Sequence, residues 1–426
     1  MRRHLLRLWR ASQPYLRLPR QWVAFALRRI LWRTTFIAIT GSNGKTTASR
    51  CLAAILSGQA PTQSTRINRN TMPGITETIA FCNPLKTRYA VLEVAAGQPD
   101  AIRKAARLIR PKVVVVLCVF LEHRGLFRTL EAVAEEKARL LTGLVPGGLA
   151  VVNGDDPLVD AMAVPPACRR VRYGASPGCD IRYEDLRSAW PDLLSFTAVV
   201  HGRRQEIRSR LLGSHWVGSL LAAIAVAAEL GVPLHRIASA IEEVPPYPGR
   251  MQVVRLPVGA VVIRDEYKGS RHTIDVAFDE MGKARADRKF LVFGDIAESS
   301  LGPRKRLNRI GREAVGKFDH IVFVGENSQY GVDGARKAGL PESQVRAFAG
   351  FAEAADHLRS LLGPGDLVLF KADRGNQVTR TFFNLLGEVR CTIPSCDRHM
   401  VCDDCPEFRN PELVRQVNEQ LTVRLR

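Results

Sequence analysis

The chain has 426 residues, which is long enough for two or three domains, and its 46% hydrophobic and 24% charged residues are ordinary for a globular protein. The formal net charge of +20 is not ordinary and indicates an anionic partner, either phosphates, nucleic acid or an anionic membrane. The sequence has no internal repeat and no long low-complexity tract, which excludes a repeat array. It also contains no nucleic-acid recognition motif, so we expect no nucleic-acid partner.

Residues 1–33 form a basic leader with nine arginines and no acidic residue, interleaved with leucine and tryptophan. The pattern predicts one or two basic amphipathic helices, broken near Pro14 and Pro19. Such a segment suits a membrane interface, but its arginines interrupt it too often for it to span a bilayer. The alternative is a helix packed on the domain with a solvated arginine face. Without a continuous apolar core or a cleavage site it does not resemble a signal peptide. We therefore expect a cytoplasmic protein, with peripheral binding at the inner face of the membrane if the leader lies there.

A glycine-rich loop follows an apolar strand pattern from Phe36 to Ile39 and precedes a helical pattern from Ala48 to Leu56. Strand, glycine turn, lysine, hydroxyl and helix is the layout of a phosphate-binding P-loop. Its glycines let backbone N–H groups approach an anion, and the helix N-terminus adds a positive dipole end. Lys45 would reach the β- and γ-phosphates, and the Thr46 hydroxyl would bind Mg²⁺. The predicted ATP-binding residues of the loop are Gly41, Asn43, Gly44, Lys45, Thr46 and Thr47.

Strand and helix patterns alternate after this loop, which predicts an α/β domain with a parallel sheet. Glu93 closes a strand next to the P-loop strand, at the sheet edge where a Mg²⁺ ligand is needed. Between Ile181 and Ile207 the segments become shorter and predict a small antiparallel sheet. An alanine-rich helix follows from Trp216 to Leu230.

A proline-rich segment from Val244 to Gly249 resembles a domain linker, and α/β alternation resumes beyond it. Four apolar strand patterns predict a second, Rossmann-like sheet: Ala260–Asp265, Phe290–Gly294, His320–Gly325 and Asp366–Lys371. The predicted organisation is a leader at 1–33, an ATP-binding domain at 34–245, a Rossmann-like domain at 246–390 and a Cys-rich tail at 391–426.

The tail carries four cysteines within fifteen residues, and His399 lies among them. In a reducing compartment disulfides are disfavoured, so a tetrahedral zinc site is the economical hypothesis. An iron–sulfur cluster and free thiols are the alternatives. The metal would be structural or would support docking of a protein partner. The candidate ligands are Cys391, Cys396, Cys402 and Cys405.

The loop Gly-Ser-Asn-Gly-Lys-Thr-Thr resembles the ATP loop of the Mur ligases, because only two residues separate Gly41 from Gly44. The resemblance extends from about Phe36 to Asn384. It implies a P-loop central domain followed by a Rossmann-like domain. It also implies an ATP-dependent ligase that joins a carboxylate to an amine through an acyl phosphate, with release of ADP and phosphate.

The resemblance also implies a metal site and catalytic residues. The Mur ligases have a Mg²⁺-binding glutamate in the setting of Glu93. They have a histidine and a helical lysine at the spacing of His123 and Lys137, and in several members the lysine is carbamylated, which supplies an oxygen donor suited to Mg²⁺. Glu122 is an alternative to His123. Arg250 matches an arginine that approaches the γ-phosphate, so the implied catalytic set is Lys45, His123, Lys137 and Arg250.

The C-terminal half most resembles the D-alanyl-D-alanine-adding ligase. Asp265 matches a residue on the ribose side of ATP, and the implied substrate contacts are Asn70, Lys268, Lys371 and Arg374. Departures around Lys268 and Ala372 argue against simply assigning the same dipeptide substrate.

Other departures keep alternatives open. Trp216 and Ser219 stand where the family has asparagines, one of them near adenine, which favours a catalytically reduced ATP-binding scaffold as the alternative from another class. Only about 35 residues precede the P-loop strand, where the muramoyl ligases carry a UDP-sugar domain, so we expect no UDP-muramoyl substrate. The short basic leader resembles instead the lipid II amidating and polyglutamate capsule ligases, whose substrates are membrane-linked or polymeric.

Overall fold

The computed structural model describes residues 17–66, 69–121, 127–296, 301–373, 378–391, 393, 396, 402–408 and 410–423. The chain forms two compact units. The first runs from the start of the described residues to Leu186 and also takes Ser195–Arg208 and Trp216–Val244. The second takes Arg187–Leu194, Ser209–His215 and the described residues from Pro245 onward.

The first unit contains eight of the described helices and nine of the described strands. The helices are α1 (Arg17–Ile30), α2 (Lys45–Ser57), α3 (Met72–Ala80), α4 (Ala101–Ile109), α5 (Leu130–Ala138), α6 (Pro157–Asp160), α7 (Val217–Glu229) and α8 (Leu234–Glu242). The strands are β1 (Thr35–Thr40), β2 (Thr62–Ser64), β3 (Tyr89–Glu93), β4 (Val113–Val116), β5 (Leu149–Asn153), β6 (Arg169–Gly174), β7 (Ile181–Arg187), β8 (Ser195–Val200) and β9 (Arg203–Arg208).

These nine strands form one sheet in the order β2-β3-β1-β4-β5-β6-β7-β8-β9. The pairings from β2 through β7 are parallel, as predicted for an α/β domain. The P-loop after β1 and the residues that end β3 and β4 therefore share one edge of the sheet, and the amino ends of the same strands share the opposite edge.

The small antiparallel sheet predicted at residues 181–207 is not a sheet of its own, because its strands belong to the nine-stranded sheet. Strands β8 and β9 form an antiparallel hairpin, and β7 pairs in parallel with β6, with Ile181 opposite Tyr173. The edge of β6 offers unpaired backbone groups, which the next strand along the chain satisfies. Local alternation in the sequence does not reveal which sheet these strands join.

The described part of the leader is the single helix α1, which packs on α3 and α4 and buries Ala24. Pro19 is the third residue of α1, in the first turn, where backbone N–H groups have no partner within the helix, and the break predicted near it falls where the described residues begin. Pro14 and the rest of the leader up to residue 16 lie outside the described residues. Within the described ranges, no helix is long and apolar enough to cross a membrane.

The second unit contains the other described helices and strands. The helices are α9 (Arg271–Lys283), α10 (Pro303–Ala314), α11 (Ser328–Lys337), α12 (Phe351–Leu361), α13 (Val378–Asn384) and α14 (Pro411–Gln416). The strands are β10 (Gln252–Arg255), β11 (Val261–Asp265), β12 (Arg288–Phe293), β13 (His320–Val324), β14 (Val345–Phe348) and β15 (Asp366–Lys371). They pair in the order β10-β11-β15-β12-β13-β14, and β10 is antiparallel to β11. The four-residue strands β10 and β14 lie at the edges and escaped sequence analysis.

The C-terminal tail packs onto the second unit through a buried ion pair. Arg264 is fully buried and donates to both carboxylate oxygens of Asp403 at 2.9 Å. It also donates to Glu266 Oε1 at 2.6 Å, and its guanidinium lies over the rings of Phe382 and Phe383 at 4.5 and 5.0 Å. This bidentate pair joins residues 139 positions apart, so it makes the tail part of the second unit's core.

Apolar and backbone contacts extend this attachment. Phe408, Leu413 and Val417 belong to the same buried cluster as strand β15. Farther along the tail, Val423 donates its N–H to Val253 O at 2.9 Å, so the chain runs beside β10.

The four tail cysteines are free thiols of intermediate burial. Within the described ranges, no three His, Cys, Asp or Glu side chains lie close enough together to hold a metal ion. Burial raises the pKa of Cys402 to about 12, so this thiol is protonated at neutral pH in the absence of a metal. Cys402 and Cys405 pack instead against the apolar cluster. The described residues thus lend no support to zinc or an iron–sulfur cluster, and His399 lies outside them.

We expect Asp403→Ala to lower the free energy of unfolding by about 3–5 kcal/mol, because it leaves the Arg264 charge buried without its bidentate partner. The matched control is Asp404→Ala at the exposed neighbouring position, with a change of about 0.5 kcal/mol or less. Denaturant unfolding of both variants measures the difference. Equal effects would show that the tail does not depend on this pair.

Candidate active site

The P-loop has the backbone geometry that its glycines permit. Gly44 precedes α2 with φ of 82° and Gly41 has φ of 154°, both in the region that favours glycine. The Lys45 ammonium donates to the carbonyls of Gly41 at 2.5 Å and Ser42 at 3.0 Å. Lys45 therefore lies against the loop that would hold the phosphates.

The loop is also fixed to the segment that follows β4. Ser42 donates its hydroxyl to Phe120 O at 2.9 Å and accepts from Phe120 N–H at 2.8 Å. The backbone N–H of Ser42 donates to Cys118 O at 2.8 Å. Asn153 and Asp156 hold the same segment, because they bond to Leu117 O and Val119 N at 2.8 Å. The turn after β5 thus supports the P-loop indirectly, by holding the segment to which the loop is bonded.

Glu93 lies at the centre of the site. It ends β3, pairs in register with Ile39 of β1, and is 4% exposed. Its carboxylate accepts from Thr46 Oγ1 at 3.1 Å and from Asn70 Nδ2 at 2.8 Å, and its backbone N–H donates to Thr65 Oγ1 at 3.1 Å. Two of these partners, Thr46 and Asn70, were predicted from sequence to be functional.

These residues fit a magnesium ion. A threonine hydroxyl and a carboxylate are hard oxygen donors, and Mg²⁺ in phosphoryl-transfer sites is held by one or two carboxylates together with substrate phosphates. Thr46 follows Lys45 in the first turn of α2, so metal and phosphates would meet at one place. His123 and Glu122 lie outside the described residues.

Lys137 lies in the last turn of α5 and is 3% exposed. The neighbouring Glu136 accepts from the backbone N–H groups of Asp100 and Ile102, at 3.3 and 3.1 Å, at the start of α4. This contact ties α5 to α4. The structure thus buries the lysine that the resemblance assigns to the metal site, and its assignment stays a prediction.

In the second unit the predicted site residues surround one buried ion pair. Lys371 is fully buried and donates to Asp265 Oδ2 at 2.5 Å and to Lys268 O at 2.9 Å. The other Asp265 oxygen accepts from Met251 N–H at 3.2 Å. The Lys371 ammonium thus fixes the Asp265–Lys268 loop. The substrate contact of Lys371 stays a prediction. Arg374 lies outside the described residues.

Arg250 immediately precedes Met251, whose N–H binds Asp265, and it carries an unsatisfied donor. Its guanidinium carbon is 4.4 Å from the ring centroid of Tyr267 and 6.0 Å from that of Tyr247. Among the described residues, its buried Nε has no hydrogen-bond partner. A buried guanidinium donor held between two aromatic rings is suited to an anion.

Sequence reasoning missed the contact between α7 and the P-loop. A Cβ added at Gly44 would lie 2.3 Å from Ser219 Oγ. The residue that stands in place of a family asparagine is therefore a close neighbour of the phosphate loop. Trp216, which precedes α7, is only 7% exposed.

Comparisons with known proteins agree with this geometry. The Mur ligase middle domain matches residues 39–227, and the Mur ligase glutamate ligase domain matches residues 249–374. The UDP-N-acetylmuramoyl-tripeptide--D-alanyl-D-alanine ligase of Mycobacterium bovis is 30% identical over 370 residues, covering 82% of this chain and 72% of the relative. The chain belongs to the Mur ligase family. The family predicted from the ATP loop is confirmed.

Other Mur ligases support the assignment. The enzyme of the same name from Bacillus subtilis is 26% identical and covers 83% of this chain and 76% of its own length. The solved UDP-N-acetylmuramoylalanyl-D-glutamyl-2,6-diaminopimelate--D-alanyl-D-alanyl ligase from Acinetobacter baumannii has a TM-score of 0.77 at 25% identity, with 87% of this chain and 79% of that chain covered.

This Mur ligase is thus an ATP-dependent, amide-bond-forming enzyme with the α/β fold predicted from its sequence. Its relatives favour neither the reduced scaffold nor the amidating and polyglutamate alternatives.

Gly44→Ala should weaken nucleotide binding and destabilise the protein by about 1–3 kcal/mol, because its backbone is left-handed and the new methyl group meets Ser219. Adding Ser219→Ala removes the clashing oxygen and should restore part of the lost stability. Thermal unfolding and nucleotide titration of both variants and of Ser219→Ala alone test this. If the stability loss of the double variant equals the sum of the losses of the two single variants, Gly44 and Ser219 do not interact in this way.

Proposed function

We propose that this Mur ligase activates a carboxylate as an acyl phosphate, releases ADP and phosphate, and binds Mg²⁺ at Thr46 and Glu93. The observation that carries the proposal is the buried Glu93 carboxylate, held between Thr46 at 3.1 Å and Asn70 at 2.8 Å beside the P-loop. When bound, the metal would neutralise charge on the ATP phosphates.

The reaction has two displacements. An oxygen of the acid attacks the γ-phosphorus, and the bond to the bridging oxygen of ADP breaks. The amine nitrogen then attacks the acyl carbon, the carbon–oxygen bond to phosphate breaks, and the amine loses a proton. Lys45 would offset charge on the transferring phosphoryl group. For Arg250 we propose the γ-phosphate role implied by the resemblance, supported by its buried Nε without a hydrogen-bond partner among the described residues.

The acid is proposed to bind in a cavity of about 440 Å³ beside Asn70. Asn70 lines this cavity and also donates to Glu93, so one side chain connects it to the proposed metal site. Helices α3 and α4 begin at the cavity, and Lys104 adds a cation to its lining. Positive helix ends and a lysine favour a carboxylate. Given the peptide substrates named for its relatives, we propose the terminal carboxylate of a short peptide.

The amine is proposed to bind in the second unit, near Lys268 and Arg374, as the resemblance implies. Lys371 and Asp265 would keep that loop in place, which their buried contact at 2.5 Å supports. The amino group of an amino acid or dipeptide is the proposed class.

We further propose that the protein is cytoplasmic and associates peripherally with the inner face of the membrane. Exposed tryptophans at both ends of the described leader support this: Trp22 is 71% and Trp32 is 75% exposed. Tryptophan is enriched at membrane interfaces.

Lys45→Ala should abolish the release of ADP and phosphate in the presence of an acid–amine pair, because the ammonium beside the phosphate loop is lost. The pairs to test include UDP-N-acetylmuramoyl-tripeptide with D-alanyl-D-alanine, and shorter peptides with single amino acids. Lys86→Ala, at an exposed position, is the matched control and should retain activity. Coupled ADP assays and mass spectrometry of the product measure the outcome. Full activity of Lys45→Ala would refute the role of the loop.

A further inference from the structure

A second cavity, of about 680 Å³, lies at the amino ends of β1, β3 and β4. Thr35 begins β1, and Arg88 and Lys112 immediately precede β3 and β4. Because these strands are parallel, the cavity opens at the sheet edge opposite to the P-loop. Strand β1 spans six residues, so about 17 Å of strand separates the two edges. We call this cavity the basic groove; its cations are Arg28, Arg33, Arg88, Arg110 and Lys112.

No carboxylate lines the basic groove. Within the described part of the chain, none of its five cations forms an ion pair with an acidic residue. Their hydrogen bonds go to neutral carbonyls: Arg28 donates to Arg110 O at 2.9 Å, Arg88 to Arg33 O at 3.1 Å, and Lys112 to Gly147 O at 2.6 Å. Four of the five are exposed. The groove therefore carries concentrated positive charge that no acidic residue of the described ranges neutralises.

The cations of the groove repel one another, so keeping them close together is electrostatically unfavourable. Burial, and then the nearby Arg110, lower the pKa of Arg28 to about 10, so Arg28 remains charged at neutral pH. Arg28 is also held in place: its Nε donates to Ile109 O at 2.5 Å and its guanidinium lies 4.0 Å over the Phe36 ring. Like charges retained beside one another indicate an anionic ligand rather than a structural role for all five.

An apolar stripe lies next to the groove on helix α1. At about 100° per residue, Trp22, Val23 and Ile30 fall within one third of the helix circumference. They point away from the core that buries Ala24 on the other face, and are 71%, 47% and 56% exposed. Trp32, 75% exposed, follows the helix and lines the groove itself. Exposed apolar side chains on the solvent side of an amphipathic helix, beside arginines, are typical of a segment that lies in a membrane interface.

We infer that the basic groove and the apolar stripe form one docking surface for an anionic lipid bilayer, with lipid phosphates in the groove and Trp22, Ile30 and Trp32 at the headgroup level. Charge complementarity selects this partner, because a bilayer offers both phosphates and an apolar layer, whereas a soluble anion would leave the stripe exposed. The inference deepens the proposed membrane association and does not depend on the ligase reaction. Since the groove and the P-loop lie at opposite edges of the sheet, a docked molecule would keep its ATP site turned away from the bilayer.

The test is co-sedimentation of the full chain with vesicles of phosphatidylcholine alone and of phosphatidylcholine mixed with phosphatidylglycerol. We expect binding to the anionic vesicles only, weakened by salt. The triple variant Arg33→Gln/Arg88→Gln/Lys112→Gln should lose roughly 100-fold in partitioning, since each cation near the surface contributes about fivefold. A Trp22→Ser/Trp32→Ser variant should also bind more weakly, with a salt dependence like that of the unmodified chain.

The matched control is Arg107→Gln/Arg203→Gln/Arg236→Gln, which removes the same charge from exposed positions of the same unit outside the groove. This control should lose far less binding than the groove variant. Thermal unfolding shows whether the variants fold. If the groove variant unfolds, Arg33→Lys/Arg88→Lys, which keeps the charges, should retain binding while Trp22→Ser/Trp32→Ser binds more weakly.

Three results would overturn the inference. One is equal loss in the groove variant and its control, which would mean that only net charge matters. Another is equal binding to neutral vesicles. The third is groove-dependent binding of polyphosphate or nucleic acid without any vesicle binding, which would assign the groove to a soluble anion. A ligase assay in the absence of lipid reports separately on the proposed reaction.

Discussion

The buried carboxylate of Glu93 organises the first unit's chemistry. A carboxylate that is 4% exposed needs donors, and here Thr46 and Asn70 supply one to each of its two oxygens. Thr46 belongs to the P-loop helix, whereas Asn70 lines the cavity proposed for the acid. One side chain thus joins the nucleotide loop to that cavity. Thr46 and Glu93 would hold a magnesium ion there, and the ion would supply positive charge to the ATP phosphates.

The parallel sheet separates the two surfaces that we assign to function. At its carboxyl edge, the ends of β1 and β3 place Gly41 and Glu93 together. At its amino edge, the residues that precede β3 and β4 bring arginine and lysine together. Strand direction alone therefore allows a single domain to carry two anion-binding faces, one proposed for ATP and the other for lipid phosphates.

Local pattern predicted the parts of the site that are close in sequence. The P-loop and the strand-end position of Glu93 follow from glycine spacing and apolar runs, because parallel neighbouring strands end at the same edge. The contact of Gly44 with Ser219 and the pairing of Arg264 with Asp403 join residues more than a hundred positions apart. Packing decides such contacts, and no local propensity encodes them. The tail shows the consequence: its cysteines suggested a metal site, whereas an aspartate between two of them carries the attachment.

The central claim is that a carboxylate is activated by the γ-phosphate of ATP, and oxygen transfer tests it most directly. An acid labelled with ¹⁸O in its carboxylate is incubated with the protein, Mg²⁺, ATP and the amine that supports turnover, and the released phosphate is analysed by mass spectrometry. We expect one ¹⁸O atom in inorganic phosphate for each amide formed, with ADP as the nucleotide product. Label in AMP, with release of pyrophosphate, would contradict it.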